Sequence, residues 1–329
     1  MGRRKKEITE EPVTTDSLED IDINSEESGI NNISISSGCT LLNLGLSNNT
    51  TFGYKTGKIV NIVGDKSSGK TLLAIEVMMY VYNVLRKKYD IKLIYNEGEA
   101  AFDKDYAAML GLPVDHIEFR ESETVEDLYE DLNKEMDMKD KDKPDLTIYI
   151  QDSLDSISSE DEIEQEFNKG SFGMSKQKQM SKLFRRLVRK IRKNNILLII
   201  ISQIRDKIGV TFGETKTRAG GHALDFYASQ VIWLYEKGKI KEGNLPTGLE
   251  IKAKIKKNKV WKPFREVDFN ILFEYGIDDV SSNIDYLIDN KYYEKNSAGR
   301  VVFEDKAYTR EDFIQFMMKK NKEDEIRRS

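Results

Sequence analysis

The stretch with the clearest chemistry is Gly64-Asp65-Lys66-Ser67-Ser68-Gly69-Lys70-Thr71, which fits the phosphate-binding pattern G-x-x-x-x-G-K-[ST]. Glycines let successive backbone N–H groups curl around a phosphate, and the exposed N–H groups and dipole of a following helix favour the anion. In that arrangement Lys70 reaches the β and γ phosphates of a nucleotide and Thr71 holds magnesium. The pattern carries meaning only between a strand and a helix. Both are present: Lys58 to Val63 is β-rich and ends at Gly64, and Leu72, Leu73, Ile75, Val77, Met78 and Met79 form an apolar helical run.

A second set of candidates lies at strand ends. Ile91 to Tyr95 reads as a strand that runs into Asn96-Glu97-Gly98-Glu99, and open α/β sheets build their sites at the carboxyl ends of strands. Leu146 to Gln151 reads as a buried strand ending in Asp152, the shape in which an aspartate at a strand tip contacts the magnesium shell. Asp103 and Tyr106 open a helix through Leu112 and lie three residues apart on one face. Taken alone, that pair reads as a solvated acid and a packing aromatic.

The elements that must position these residues are legible in outline. The chain has 329 residues and 39% hydrophobic content, enough for one large core and a small appended unit. One cysteine, Cys39, excludes an internal disulfide, and two histidines with it make a structural zinc site a poor reading. The aliphatic run from Ile196 to Ile201 falls far short of the roughly 18 residues of a membrane span. The start MGRRKKEITEEP lacks a signal-peptide core, so a cytoplasmic protein with no membrane partner is expected.

Charge is unevenly spread. Glu7 to Ser28 holds nine acidic residues and no Lys or Arg, a composition expected to stay disordered, and Ile30 to Ser36 follows as a possible short strand. That strand could pack on its own core or add to a neighbour's edge. From Met174 a helix is expected, with Met180, Leu183, Phe184, Leu187, Val188 and Ile191 as its apolar stripe. Between Lys176 and Lys193 it carries nine cations and no acid. The net charge of -5 argues against a uniformly basic nucleic-acid binder, which makes such a local cluster informative. The strand Ile196 to Ser202 then enters a long glycine-rich loop, Lys207 to Gly221, whose cations and Phe212 suit phosphates and bases. Later strands are expected at Ala228 to Tyr235, Leu249 to Ile255 and Val267 to Phe273. A short helix, a hairpin around Asn296 to Gly299 and a helix from Thr309 to Lys319 close the chain.

At SQIRDKIGVTFGETKTRAGGHALDFYAS (202 to 229) the sequence resembles the second DNA-binding loop of the RecA recombinases. ISSG (35 to 38), GDKSSGKT (64 to 71), EAAFDKDYAAMLG (99 to 111), QDS (151 to 153), EIE (162 to 164) and KKNK (256 to 259) extend the match in order, from about Ile35 to Phe273. The divergent ends suggest a phage-encoded relative. The resemblance implies an α/β fold: a RecA-like P-loop ATPase core with a mostly parallel central sheet flanked by helices, plus a small C-terminal α+β domain. It implies an arm over residues 1–38, the core over 39–276 and the C-terminal unit over 277–329.

The resemblance also implies ATP and Mg2+ as cofactors, single-stranded and double-stranded DNA as partners, and a helical homo-oligomeric filament. The loop from Gly64 through Lys66, Ser67, Ser68 and Gly69 to Leu72 would hold the nucleotide, with Asp103 and Tyr106 on adenine and Thr71 and Asp152 on the metal. Spacing to Ala101-Phe102-Asp103 selects Glu99 as the residue that activates water; Glu97 fits if the strand ends two residues earlier. Gln203 matches the γ-phosphate sensor, and Lys257 and Lys259 match the pair that reaches a neighbour's ATP. Lys178, Ser181, Arg185, Phe212, Gly220 and Gly221 match DNA contacts, and Arg205, Lys216 and Arg218 join them as cations of the same region. Asp225 stands where the family often has lysine, the usual basic N-terminal arm is not visible, and the C-terminus is of mixed charge. The implied activity is ATP-dependent strand exchange; a recombination mediator or regulatory ATPase and a hexameric DNA helicase are the rival readings.

Overall fold

Ile196 to Ile201, apolar at every position, requires burial on both faces, which a central parallel strand supplies. The computed structural model places it so. It describes residues 32–99, 102–164, 172–206, 216–218 and 221–319. The expected arm over residues 7–28 lies outside these.

In chain order, β1 (Ser34–Ile35) and β2 (Tyr54–Lys55) flank α1 (Thr40–Ser47). β3 (Lys58–Gly64) leads to α2 (Lys70–Asn83), β4 (Ile91–Glu97), α3 (Lys104–Met109), β5 (Glu118–Glu121), α4 (Val125–Met136) and β6 (Leu146–Asp152). α5 (Glu160–Glu164) and α6 (Phe172–Lys193) precede β7 (Ile196–Asp206), β8 (Lys216–Arg218) and α7 (Gly221–Tyr227). β9 (Gln230–Glu242), β10 (Leu245–Asn258), β11 (Glu266–Leu272) and β12 (Gly276–Asp278) follow. α8 (Asp279–Asp289), β13 (Val301–Phe303), β14 (Lys306–Tyr308) and α9 (Arg310–Lys319) complete the described chain.

The main sheet runs β12-β11-β10-β9-β3-β7-β6-β4-β5, with β8 paired to β7. Pairings from β9 through β3, β7, β6 and β4 to β5 are all parallel, and β10, β11 and β12 add an antiparallel wing. Two apolar clusters cover its faces. Leu73, Val77 and Met78 of α2 meet Ile62, Ile199 and Ile251 on one side. Leu183, Phe184 and Leu187 of α6 meet Val63, Leu198 and Val231 on the other. This is the expected α/β core with a mostly parallel sheet between helices. A third cluster, around Ile284, Leu287, Phe313 and Met317, belongs to α8 and α9 beyond the sheet. Among the described residues no helix is long and apolar enough to cross a membrane.

Several elements differ from the sequence reading. α4 was not anticipated, because its charged residues mask Val125, Leu128, Leu132 and Met136 on the buried face. Its start is a capping box, with Thr124 Oγ1 accepting from Asp127 N–H and the Asp127 carboxylate accepting from Thr124 N–H. β7 extends to Asp206 because β8 pairs with its end, and β9 extends to Glu242 because β10 continues beside it. The expected hairpin around Asn296 to Gly299 is present, with Lys295 bridging Val301 antiparallel across it, and a second hairpin turn not anticipated lies at Glu304 and Asp305, between β13 and β14. The isoleucine segment is built into its own chain: Ser34–Ile35 pairs with Tyr54–Lys55, and Ile33 and Ile35 are buried in the core. Those two side chains are therefore not offered to a neighbour.

α2 carries one ionisable group inward. Glu76 stands against Gly38 and Gly276 and accepts from Ile277 N–H at 3.4 Å. Burial, followed by the field of Asp279, pushes its carboxyl up to about 7. The fold thus favours the protonated acid, so this contribution to stability is full below the ordinary carboxylate pKa and lost as pH rises to about 7. Glu76→Gln is expected to stabilise the protein by up to about 3 kcal/mol at pH 8 and by little at pH 4. Urea unfolding at both pH values measures this, and an equal gain at each would contradict it.

Candidate nucleotide and DNA site

Strand register gathers the predicted residues. Gly64 of β3 pairs with Gln203 of β7, and Glu97 of β4 pairs with Asp152 of β6, so the four carboxyl ends open at one edge. Gln203 therefore stands level with the beginning of the phosphate loop, and Asp152 and Glu97 level with Ile62 two residues before it, before any side chain is considered.

The loop itself has the required backbone. Ser67 (φ 58) and Gly69 (φ 85) are left-handed, a pattern that turns consecutive N–H groups toward one concavity. Ser68 Oγ donates to Asp65 C=O at 2.8 Å, closing the loop from within. Lys70 Nζ donates to the same carbonyl at 2.6 Å. Burial pulls the Lys70 ammonium below the ordinary lysine range, against the fields of Asp152, Glu99, Asp65 and Asp155. A lysine so placed gains most from a polyanion laid beside it.

Asp152 joins three elements. Its Oδ2 accepts from Thr71 Oγ1 at 2.7 Å and from Tyr95 OH at 2.6 Å. Burial is the largest influence on the carboxyl and raises its pKa, against both hydrogen bonds and Lys70. A hydroxyl and a carboxylate side by side are hard oxygen donors of the kind that hold magnesium together with substrate phosphates, so the residues fit that metal. Tyr95 was not singled out in the sequence, since a tyrosine inside a strand carries no motif; only the pairing of β4 with β6 brings it to Asp152.

The two glutamates are used differently. Glu97 Oε1 accepts from Phe102 N–H at 2.5 Å and so ties the turn that follows β4. Glu99 Oε1 accepts from Gln203 Nε2 at 2.6 Å and from Ser153 Oγ at 2.5 Å. Gln203 N–H in turn donates to Asp155 Oδ2 at 2.7 Å. Ser153 and Asp155, also missed, are placed by the turn that continues β6. Thr71, Tyr95, Glu97, Glu99, Asp103 and Tyr106 all line a cavity of about 240 Å³. Asp103 caps α3 by accepting from Tyr106 N–H at 2.9 Å, and Tyr106 OH donates to Phe273 C=O at 2.6 Å.

Lys257 and Lys259 stand elsewhere. Lys259 N–H donates to Ser229 C=O and Ser229 N–H to Ile59 C=O, at 2.8 and 2.7 Å. Lys259 therefore lies level with Ile59, about 17 Å of strand from Gly64, and Lys257, paired with Val231, lies level with Asn61, about 10 Å of strand from Gly64 and with β9 between. Lys257 Nζ donates to the carbonyls of Asp225 and, at 2.9 Å, Phe226, near the end of α7. Neither lysine can meet the phosphate loop of its own chain.

Of the candidate DNA contacts, Lys178, Ser181 and Arg185 follow one another at helical spacing on α6, with Lys178 and Arg185 exposed. Ser181 Oγ donates to Gln177 C=O at 3.0 Å. Lys216 pairs with Asp65 of the phosphate loop at 3.5 Å. Arg218 differs from the expectation of a loop cation: it is buried, and its guanidinium donates to Asp225 at 2.7 Å. The departure at position 225 explains this, because the aspartate supplies the partner that draws Arg218 inward. Gly221 opens α7, and Arg205 lies in β7 opposite Thr217. Phe212 and Gly220 lie outside the described residues.

Two comparisons bear on this arrangement. A family model described as the RecA N-terminal domain matches residues 18–278. Protein RecA of Ectopseudomonas oleovorans is 32% identical over 246 residues, which is 75% of this chain and 68% of that protein.

The loop geometry makes one residue testable at once. A Cβ at Gly69 would lie 2.4 Å from Ile271 Cδ1, on a backbone with φ 85. Gly69→Ala should cost about 1–3 kcal/mol and weaken nucleotide binding. Adding Ile271→Ala should relieve the clash without restoring binding. Thermal melts and titration with a fluorescent ATP analogue would show this; wild-type binding by Gly69→Ala would contradict the backbone argument.

Proposed function

The chain belongs to the RecA family, and from that premise we propose that it is an ATP-dependent DNA recombinase. It would form a filament on single-stranded DNA, pair it with homologous duplex and exchange strands. The family uses ATP with Mg2+, implies DNA-dependent ATP hydrolysis and forms filaments on DNA. The observation that carries the reading to this chain is the bond between Gln203 and Glu99. It links the nucleotide edge to β7, the strand that leads into residues 207–215.

In this reading Glu99 is the general base. It sits beside the cavity that Thr71 and Asp152 also line, and its carboxylate is not used to tie a backbone turn as that of Glu97 is. Without nucleotide, the Gln203 amide holds the Glu99 carboxylate. A γ-phosphate offers a more highly charged acceptor for the same N–H, so binding releases Glu99 toward water and draws the end of β7 to the phosphate. Magnesium, when bound, supplies charge neutralisation at the phosphates beside Thr71 and Asp152. Lys70 contributes the fixed positive charge from the chain itself. Asp103 and Tyr106 would border the adenine.

Lys257 and Lys259 act on the ATP of the next subunit, since their own loop is out of reach. Cations brought to a developing phosphate charge from outside the site stabilise transfer as an arginine finger does. Lys178, Ser181, Arg185 and Lys216 would follow DNA phosphates, with Arg205, Phe212, Gly220 and Gly221 in the adjoining loop. Arg218, bonded to Asp225, would orient α7 rather than touch DNA.

ATP hydrolysis with and without single-stranded DNA tests the reading. DNA should stimulate hydrolysis, and Lys70→Ala should abolish it. DNA affinity should fall with salt with a slope of about -0.7 per phosphate neutralised. Glu99→Gln should lose hydrolysis by roughly 100-fold or more while retaining ATP binding, and Glu97→Gln should lose much less. No stimulation at any ionic strength, or the reverse order of the two glutamates, would overturn it.

A further inference from the structure

The strand that carries Gln203 loses one neighbour just before it reaches that residue. β6 and β7 pair up to Gln151 and Ile200 and then part, while β3 stays beside β7 as far as Gln203. The turn that follows β6 takes the vacated side. Leu154 N–H donates to Ile201 C=O at 3.0 Å, and the Asp155 carboxylate accepts from Gln203 N–H at 2.7 Å. A side-chain oxygen thus does what a strand carbonyl does in the rest of the ladder. Ser153, in the same turn, donates to Glu99 Oε1, the atom that also accepts from the Gln203 side chain. The turn therefore holds Gln203 twice: by its backbone through Asp155, and through the carboxylate bonded to its side chain.

The same turn is bonded to α6. Lys176 Nζ donates to Asp155 C=O at 3.2 Å. Ser175 Oγ and Lys176 N–H bond to Asp161 and Glu162 of α5, at 2.6 and 3.4 Å, which makes the Lys176 ammonium a link from α6 to Asp155 itself. Lys176 precedes the buried Met180 by four residues and shares its side of the helix, whereas Lys178, Ser181 and Arg185 lie round the other side. α6 thus stands between the residues assigned to DNA phosphates and the turn that holds Gln203. Phosphates laid along the outer side attract the helix away from the sheet, and one bond from an ammonium to a neutral carbonyl is the weaker of the two contacts.

We propose that Asp155 and Lys176 are positioning residues that hold Gln203 in its resting place, and that DNA on the outer side of α6 withdraws Lys176 and lets Gln203 go to the γ-phosphate. This deepens, and rests on, the reading that DNA stimulates ATP hydrolysis. Both residues act through Gln203, and so on Glu99.

ATP hydrolysis by the full chain, with and without single-stranded DNA, tests the hold. Lys176→Met and Asp155→Ala should each raise the DNA-free rate by roughly 5-fold or more, toward the DNA-stimulated rate, with the KM for ATP little changed. Asp155→Asn keeps an acceptor for the Gln203 N–H and should fall between Asp155→Ala and the wild type. The double variant should gain no more than the larger single one, because the two residues act in series. Should Asp155→Ala fail to fold, Lys176→Met and Asp155→Asn carry the test. An unchanged DNA-free rate with weaker DNA binding in Lys176→Met would make that lysine a phosphate contact alone and overturn the proposal. Variants slower than the wild type both with and without DNA would overturn it too.

Hydrogen exchange at the Gln203 amide, in nucleotide-free protein, separates the proposal from the reading beneath it. Exchange should quicken severalfold in Lys176→Met and, in the wild type, on addition of oligothymidylate. If DNA fails to stimulate hydrolysis but exchange responds in this way, the hold on Gln203 stands and the recombinase reading falls. If DNA stimulates hydrolysis but exchange in Lys176→Met equals that of the wild type, the reading stands and the proposal falls.

Discussion

The contact on which the nucleotide edge depends is the shared acceptor Asp152 Oδ2. It receives Thr71 from α2 and Tyr95 from β4, and it sits on β6. Three elements separated in sequence are thereby locked at one atom. A slip of one residue in the pairing of β6 with β4 would turn Asp152 to the other face and part it from both partners. The aliphatic faces of β6 and β7 oppose that slip, since it would carry Ile148 and Ile150 from one apolar cluster into the other. Apolar packing thus sets the register, and the register sets the chemistry.

The sheet also separates two charges. Its carboxyl edge gathers Asp152, Glu99, Asp65 and Asp155 around Lys70, while its amino edge gathers Arg192, Lys55 and Lys259 around Lys58. A subunit with acceptor groups at one end and cations at the other is suited to head-to-tail stacking, in which the interface is heterologous and generates a ring or a helix. β7 runs from one edge to the other, beginning beside Gly57 and carrying Gln203 to the nucleotide edge before it ends at Asp206. Lys257, bound to the carbonyls near the end of α7, ties the amino edge to the segment that follows β8. In the proposed mechanism, nucleotide and DNA influence each other through these two rigid connections.

Much of this was legible in the sequence because local patterns have local causes. The phosphate loop is contiguous, its flanking strand and helix have distinct periods, and the apolar stripe of α6 fell where the spacing placed it. What escaped depends on partners distant in sequence. Tyr95 and Ser153 gain their meaning from strand register, which no motif encodes. Arg218 was read as a loop cation because its partner Asp225 lies across a turn into α7. α4 was obscured by charge: four buried apolar residues at helical spacing were outweighed by the acids between them. The choice between Glu97 and Glu99 rested on a spacing of two residues and gains support only from the different bonds that each carboxylate makes.

The central claim is that one ATP is worked on by two chains: a phosphate loop with Glu99 from one, and Lys257 with Lys259 from the next. Mixing two inactive variants tests it most directly. One carries Lys70→Ala and keeps its lysines; the other carries Lys257→Ala with Lys259→Ala and keeps its loop. On single-stranded DNA the account predicts that the mixture regains ATP hydrolysis, because a good loop can face good lysines across the boundary between unlike subunits. A mixture as inactive as its components, although both variants are folded and bind DNA together, would contradict it.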